Sequence, residues 1–81
     1  MLKELTAGKK VSGIKQSRRA IRDGRARTVF IARDADPAVT GPLRNDCGEH
    51  HIPVVEEFSM RELGQAAGIQ VGTAAAVLLK G

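Results

Sequence analysis

"TVFIARDADP", residues Thr28 to Pro37, is the stretch on which the reading of this chain turns. Thr28 to Ala32 form an unbroken β-branched and aromatic run, the pattern of a strand buried on both faces. Asp36-Pro37 then carries the signature of a helix start, with Asp as N-cap and Pro at the first helical position. A buried strand leading directly into a helix predicts a crossover connection and a sheet with helices packed on it.

On either side of this strand, hydrophobic spacing divides the chain into further helices and strands, with Gly, Pro and Asp at most joins. The pattern predicts a short helix from Leu2 to about Gly8 and a short strand over Lys9 to Ser12. A helix follows Gly13, with Ile14, Ser17 and Ile21 on its inner face and Asp23-Gly24 closing it. Beyond the central strand, a helix is expected from Pro37 towards His50, with some irregularity near Gly41-Pro42. Ile52-Pro53-Val54-Val55 reads as a short strand with proline at its start. Ser59-Met60-Arg61-Glu62 has capping-box spacing, so the next helix begins there and ends near Gly68. Ala74 to Leu79 supplies the last strand. The expected fold is α/β, one domain over residues 1–81: a three-layer α/β/α sandwich around a small mixed sheet of about four strands. Neither a domain linker nor a repeat is visible.

Eighty-one residues make one small core, in which about 60 to 65% of the unfolded chain's surface is buried. Thirteen Lys and Arg against nine Asp and Glu leave a net charge of +4, which favours an anionic partner, nucleic acid first. A solvated cationic surface is the competing explanation, so position must decide. A single cysteine, Cys47, excludes an internal disulfide and suits a reducing cytosol. The N-terminal stretch lacks an apolar signal region, and the longest apolar run, Ala74 to Leu79, is far short of the roughly 18 residues of a membrane span. A soluble, cytoplasmic protein is therefore expected.

Position points to the helix after Gly13. Lys15, Arg18, Arg19 and Arg22 recur at i, i+3, i+4 and i+7, beginning where unpaired backbone N–H groups and the helix dipole favour phosphate. Gly13, without a Cβ, admits close approach. Asp34 and Asp36 follow the central strand, where ligands of α/β sheets often bind, but two carboxylates make a poor metal cage and Asp36 has a cap to make. Acceptance of hydrogen bonds from base edges is a further use for them. Cys47, His50 and His51 lack zinc-site spacing; Cys47 reads as a small buried hydrophobe and the histidines as a terminal helical turn. No nucleophilic triad can be assembled, and neither a metal nor a cofactor is implied. Gly64, Gly68 and Gly72 match no phosphate-loop or dinucleotide pattern. Ile69-Gln70-Val71 between them forms a loop whose apolar side chains either tuck inward or touch a partner. With no Trp or Tyr and only Phe30 and Phe58, the aromatic platform of single-strand binders is missing, which favours a structured RNA.

Taken in order, Gly13-Ile14-Lys15-Gln16-Ser17, Val29 to Pro37, Cys47, Ile52-Pro53-Val54 and Leu63 to Gly68 resemble the L7Ae ribosomal protein family of kink-turn RNA binders, particularly its small bacterial branch. The similarity covers nearly the whole chain and implies the same α/β/α sandwich. It also implies a partner: a sharply bent RNA duplex in which a short bulge lies beside tandem sheared G·A pairs, as in ribosomal RNA or a riboswitch. By position, the guanine contacts carry over to Gly13, Lys15 and Gln16, a basic contact to Arg19 and an acidic one to Asp36. The loop over the bulged nucleotides maps to Ile69, Gln70 and Val71. Two departures accompany the resemblance. Many archaeal and eukaryotic relatives have Asn-Glu where this chain has Lys15-Gln16, a pair shared by the bacterial branch, and some carry arginine at the place of Val71. Gln16 keeps a carbonyl acceptor for a guanine N–H, and Lys15 can donate to guanine O6 or N7 and to phosphate.

The function expected is therefore non-enzymatic binding and stabilisation of kink-turn RNA, by a monomer, through Gly13, Lys15, Gln16 and Arg19, with Arg18 and Arg22 adding charge. Two rivals belong to other classes. One is an accessory recognition module of an RNA-modifying enzyme. The other is a protein-interaction domain contacting its partner through Ile69 and Val71.

Overall fold

Eight elements order the chain, and the computed structural model describes residues 2–81. They are α1 (Leu2–Ala7), β1 (Lys10–Ser12), α2 (Ile14–Arg22), β2 (Ala26–Ile31), α3 (Pro37–His50), β3 (Val54–Val55), α4 (Met60–Ala66) and β4 (Ala75–Leu79). The strands form one mixed sheet in the order β1-β4-β2-β3. β4 runs antiparallel to β1 and β2, and β2 pairs in parallel with β3 through the α3 crossover.

The register explains why two strands read as continuous apolar runs. Val11, Val77, Val29 and Val54 lie in one row across the sheet, and Ser12, Ala76, Phe30 and Val55 in the next. On one face, Val29, Ile31, Ala75, Val77 and Leu79 pack against Ala20 and Ile21 of α2 and Leu43 and Cys47 of α3. On the other, Phe30, Ala76 and Leu78 pack against Leu5 of α1 and Leu63 and Ala66 of α4. β2 and β4 therefore have both faces buried, which is why the two-residue alternation of a half-exposed strand is missing from them. Full burial of such a Leu, Ile or Phe side chain is worth about 1.5–3 kcal/mol. The α/β/α sandwich with a four-stranded mixed sheet is the fold expected from the sequence.

Boundaries differ in informative places. β2 starts at Ala26, ahead of the β-branched run, because Ala26 pairs with Leu79 across a slip in register between Ala26 and Thr28. The third strand is confined to Val54–Val55: Pro53 gives β2 only its carbonyl, which accepts from the Val29 N–H at 3.0 Å, and the Ile52 N–H closes the preceding helix on the Cys47 carbonyl at 3.0 Å. α3 runs on through Gly41-Pro42. Pro42 has no N–H to give the carbonyl of Ala38, but Ala38 is exposed, and the buried Thr40, Leu43 and Cys47 hold the helix to the core on both sides of the proline.

Three helices end in the same way. After α2, the N–H groups of Gly24 and Arg25 bond back to the carbonyls of Ile21 and Ala20, at 3.1 and 2.9 Å. After α4, those of Gly68 and Ile69 bond to Gln65 and Gly64, at 3.1 and 3.0 Å. This is the paired arrangement of a Schellman cap, with glycine in the left-handed position at φ 72° and 79°. After α3 the same position is held by His51, at φ 56°. A residue with a Cβ is strained there by roughly 1–2 kcal/mol. Replacing His51 with Gly is expected to raise stability by about 0.5–1 kcal/mol after the entropy of the freer unfolded chain is offset. Urea unfolding checks this, and a lower midpoint for His51→Gly would contradict it.

Candidate functional site

Three segments that are distant in sequence meet at one end of the sheet. The first is the start of α2. Gly13 adopts φ 89°, ψ 156° and no atom lies within 4 Å of where its Cβ would be, so a side chain here would strain the backbone and would also obstruct an open surface. The first-turn N–H groups of α2 have no intrahelical partners, as in any helix, and Gly13 offers them no side-chain cap. Lys15 and Gln16, in that turn, are exposed.

The second segment leaves β2. Its Ala32 N–H donates to the Ala74 carbonyl at 2.8 Å, and the Arg33 N–H donates to Phe58 at 2.9 Å. The turn that follows spends its carboxylates on helix starts. Asp36 Oδ1 accepts from the Ala38 N–H at 2.9 Å, capping α3, and Asp34 Oδ1 accepts from the Met60 N–H at 2.8 Å, at the start of α4. The cap at Asp36 was legible; the one at Asp34, bridging 26 residues, had no sequence signal. Ser59 and Glu62 complete the expected capping box, and Arg33 pairs with Glu62 at 3.1 Å. The Ser59 N–H, followed by Arg33 and the Ser59 hydroxyl, holds the Glu62 carboxyl below its ordinary range.

The third segment is the loop over residues 69–74. The Thr73 N–H donates to the Met60 carbonyl at 3.1 Å and its buried hydroxyl donates to the Ala75 carbonyl at 2.9 Å. A second donor, the Gly13 N–H, reaches that same Ala75 oxygen at 2.9 Å. The start of α2 and the loop are thus fastened to one carbonyl at the head of β4. Gly64 lets the loop lie directly on α4: a Cβ there would collide with the Val71 carbonyl oxygen and come within 3.0 Å of the Gly72 Cα. Of the loop's apolar side chains, Ile69 is 36% and Val71 is 72% exposed, so they face outward, while Thr73 is the residue that tucks in.

Lys15, Gln16, Arg19 and Arg22 are exposed along α2. Arg19 reaches Asp23 only at 4.0 Å, a surface pair of little energetic worth. Arg18 departs from the expected stripe. Its Nε donates to Asp46 of α3 at 2.7 Å, so its side chain joins two helices instead of standing free. Ser17 packs inward as its spacing indicates, and its hydroxyl finds no partner among the described residues. Cys47 is 2% exposed, and burial pushes its thiol up to about 11, far from a nucleophile's range. Among the described residues no group of three His, Cys, Asp or Glu side chains could hold a metal ion, and no helix is long and apolar enough to cross a membrane.

The order of these pieces, from a glycine-led helix through a capped turn to a loop seated on α4, matches a family model over residues 1–81, that of the Ribosomal protein L7Ae/L30e/S12e/Gadd45 family. The chain belongs to this family. Within reach of the L7Ae type are small bacterial relatives. It is 42% identical over 78 residues to an RNA-binding protein of Geobacillus sp. (strain WCH70), covering 96% of this chain and 95% of that protein. It is likewise 42% identical over 78 residues to the RNA-binding protein YbxF of Geobacillus stearothermophilus, with the same coverage. Among solved structures, the Giardia lamblia 15.5 kD RNA-binding protein superposes with a TM-score of 0.91 at 28% identity, over 99% of this chain and 71% of that one. A protein of unknown function from Bacillus halodurans shares the fold, with a TM-score of 0.87 at 23% identity, over 98% of this chain and 83% of that one.

The seating of the loop on α4 is open to test. Gly64→Ala places a methyl against backbone, an overpacking cost of about 1–3 kcal/mol that outweighs a helix-propensity gain of roughly 1 kcal/mol. A lower melting temperature is expected, with faster hydrogen exchange at the Thr73 amide. Wild-type stability with a protected Thr73 amide would show that the loop does not depend on this contact.

Proposed function

We propose that this protein is a non-enzymatic RNA-binding protein that recognises and stabilises kink-turn RNA. One observation carries the reading: the open, glycine-led start of α2, the Asp34–Asp36 turn and the outward loop of Ile69, Gln70 and Val71 share one end of the sheet. Family membership and relatives named as RNA-binding proteins support it.

In this reading Gly13 admits the RNA close to the backbone, and the α2 N-terminus with Lys15 and Arg19 meets phosphate. Lys15 donates to guanine O6 or N7 and Gln16 accepts from a guanine N–H, which distinguishes sheared G·A pairs from other steps. Asp36 Oδ1 is occupied by its cap, and its second carboxylate oxygen serves as the remaining acceptor. Ile69 and Val71 cover the bulged nucleotides with apolar surface, and Gln70 supplies a polar contact among them. Arg18, tied to Asp46, contributes through the placement of α2 more than as a free cation. Binding the bent state more tightly than the extended one shifts a free RNA toward the bend by that difference in affinity, without any chemical step.

The test compares a kink-turn RNA with a duplex in which Watson–Crick pairs replace the sheared G·A pairs, at fixed ionic strength. Strong preference for the kink-turn is expected. Gln16→Ala should cut that preference about tenfold, the share of one base contact worth about 1–3 kcal/mol. Arg22→Ala should weaken both RNAs alike and lower the salt slope by about one. Equal losses on the two RNAs for Gln16→Ala would remove Gln16 from the reading surface.

A further inference from the structure

We propose that the end of the sheet opposite Gly13 is a second RNA-backbone surface, formed by Lys9, Arg25, Arg27 and Lys80, which holds a duplex segment outside the kink. The proposal rests on the RNA-binding reading above and adds a second segment of RNA to it.

Backbone pairing brings these four residues together. The Leu79 N–H donates to the Lys9 carbonyl at 2.9 Å, and the Lys80 N–H donates to the Arg25 carbonyl at 2.8 Å. Between Ala26 and Thr28 the register slips, leaving Arg27 as the extra residue of a bulge. Bulges re-aim side chains. Arg27 lines a groove with Glu4, Lys9, Leu78, Leu79 and Gly81. Lys9, Arg25, Arg27 and Lys80 are all exposed.

Their charge is uncompensated. Among the described residues, the carboxylates of Asp46, Asp23, Glu62 and Glu56 pair with Arg18, Arg19, Arg33 and Arg44. Among the described residues none of the four cations at this end makes a side-chain ion pair, and the groove that Lys9 and Arg27 line has one acidic side chain, Glu4. Exposed like charges gathered at one end of the sheet repel one another and gain when a polyanion lies across them.

The arrangement fits a sugar–phosphate backbone better than a single anion or a protein. The cations are spread over the ends of three strands, and exposed Arg22, at the C-terminal end of α2, precedes Arg25 by three residues. Charges spread in this way match repeated phosphates better than one compact anion. No aromatic side chain borders the groove to anchor a protein partner. The five residues of β4 separate this surface from the Gly13 end by roughly 16 Å at about 3.3 Å per residue, so the two surfaces meet different nucleotides.

The experiment saturates the protein with a short kink-turn RNA and then titrates a labelled plain duplex RNA of about 16 base pairs. Wild type is expected to form the ternary complex. The combined variant Lys9→Ala/Arg25→Ala/Arg27→Ala/Lys80→Ala should bind the duplex at least tenfold more weakly, with a salt slope lower by about three, while its affinity for the short kink-turn RNA stays within twofold. A milder pair, Arg25→Gln/Lys80→Gln, keeps the side-chain stems and should lose about threefold, which preserves the test if the combined variant fails to melt cooperatively. Unchanged duplex affinity and slope in either folded variant would overturn the proposal. Polyglutamate bound as tightly as the duplex would also overturn it, in favour of an acidic protein partner. If the kink-turn and its Watson–Crick control bind equally, the kink reading fails, and the duplex titration still decides the far end alone.

Discussion

The carbonyl oxygen of Ala75 is the point on which this molecule's candidate surface depends. Both of its lone pairs are used, one by the Gly13 N–H and one by the Thr73 hydroxyl, each at 2.9 Å. One residue earlier, the Ala74 carbonyl takes the Ala32 N–H at 2.8 Å. The head of a buried strand therefore fixes the start of α2, the exit from β2 and the loop after α4 relative to one another. Loops set on so rigid a strand can present side chains with little conformational entropy left to lose on binding.

That arrangement explains how much of the protein its sequence discloses. The run from Thr28 to Ala32 and the all-buried β4 are continuous apolar segments because helices cover both faces, so the sandwich follows from pattern alone. Asp36-Pro37 and the Ser59–Glu62 box are local signals, satisfied by neighbours within three residues, and they mark their helices correctly. Less legible were features that depend on distant partners. The slip beside Ala26 answers to β4, and the late start of the third strand answers to Cys47. Gly41-Pro42 signals an irregularity, and burial of Thr40, Leu43 and Cys47 carries the helix through it.

The candidate site divides along the same line. Gly13, Lys15, Gln16 and Arg19 could be placed on one helix start because helical spacing is local. Spacing alone groups Arg18 with them, but the direction of its side chain is set by Asp46, 28 residues away. The outward orientation of Ile69 and Val71 required knowing that Gly64 lies under the loop and that Thr73 takes the inward position. Asp34, an apparent candidate for chemistry, turns out to cap α4, a role visible only once two segments are side by side.

The central claim is that three segments at one end of the sheet form a single RNA-binding surface. Backbone amide shifts of the labelled protein, followed during titration with a short kink-turn RNA, test it most directly. The account predicts joint perturbation of Gly13 to Gln16, Ala35 to Asp36 and Ile69 to Val71, saturating together at one equivalent. Shifts confined to exposed cations, with the amides of Gly13 and Gln70 unmoved, would contradict it and leave a diffuse electrostatic contact in its place.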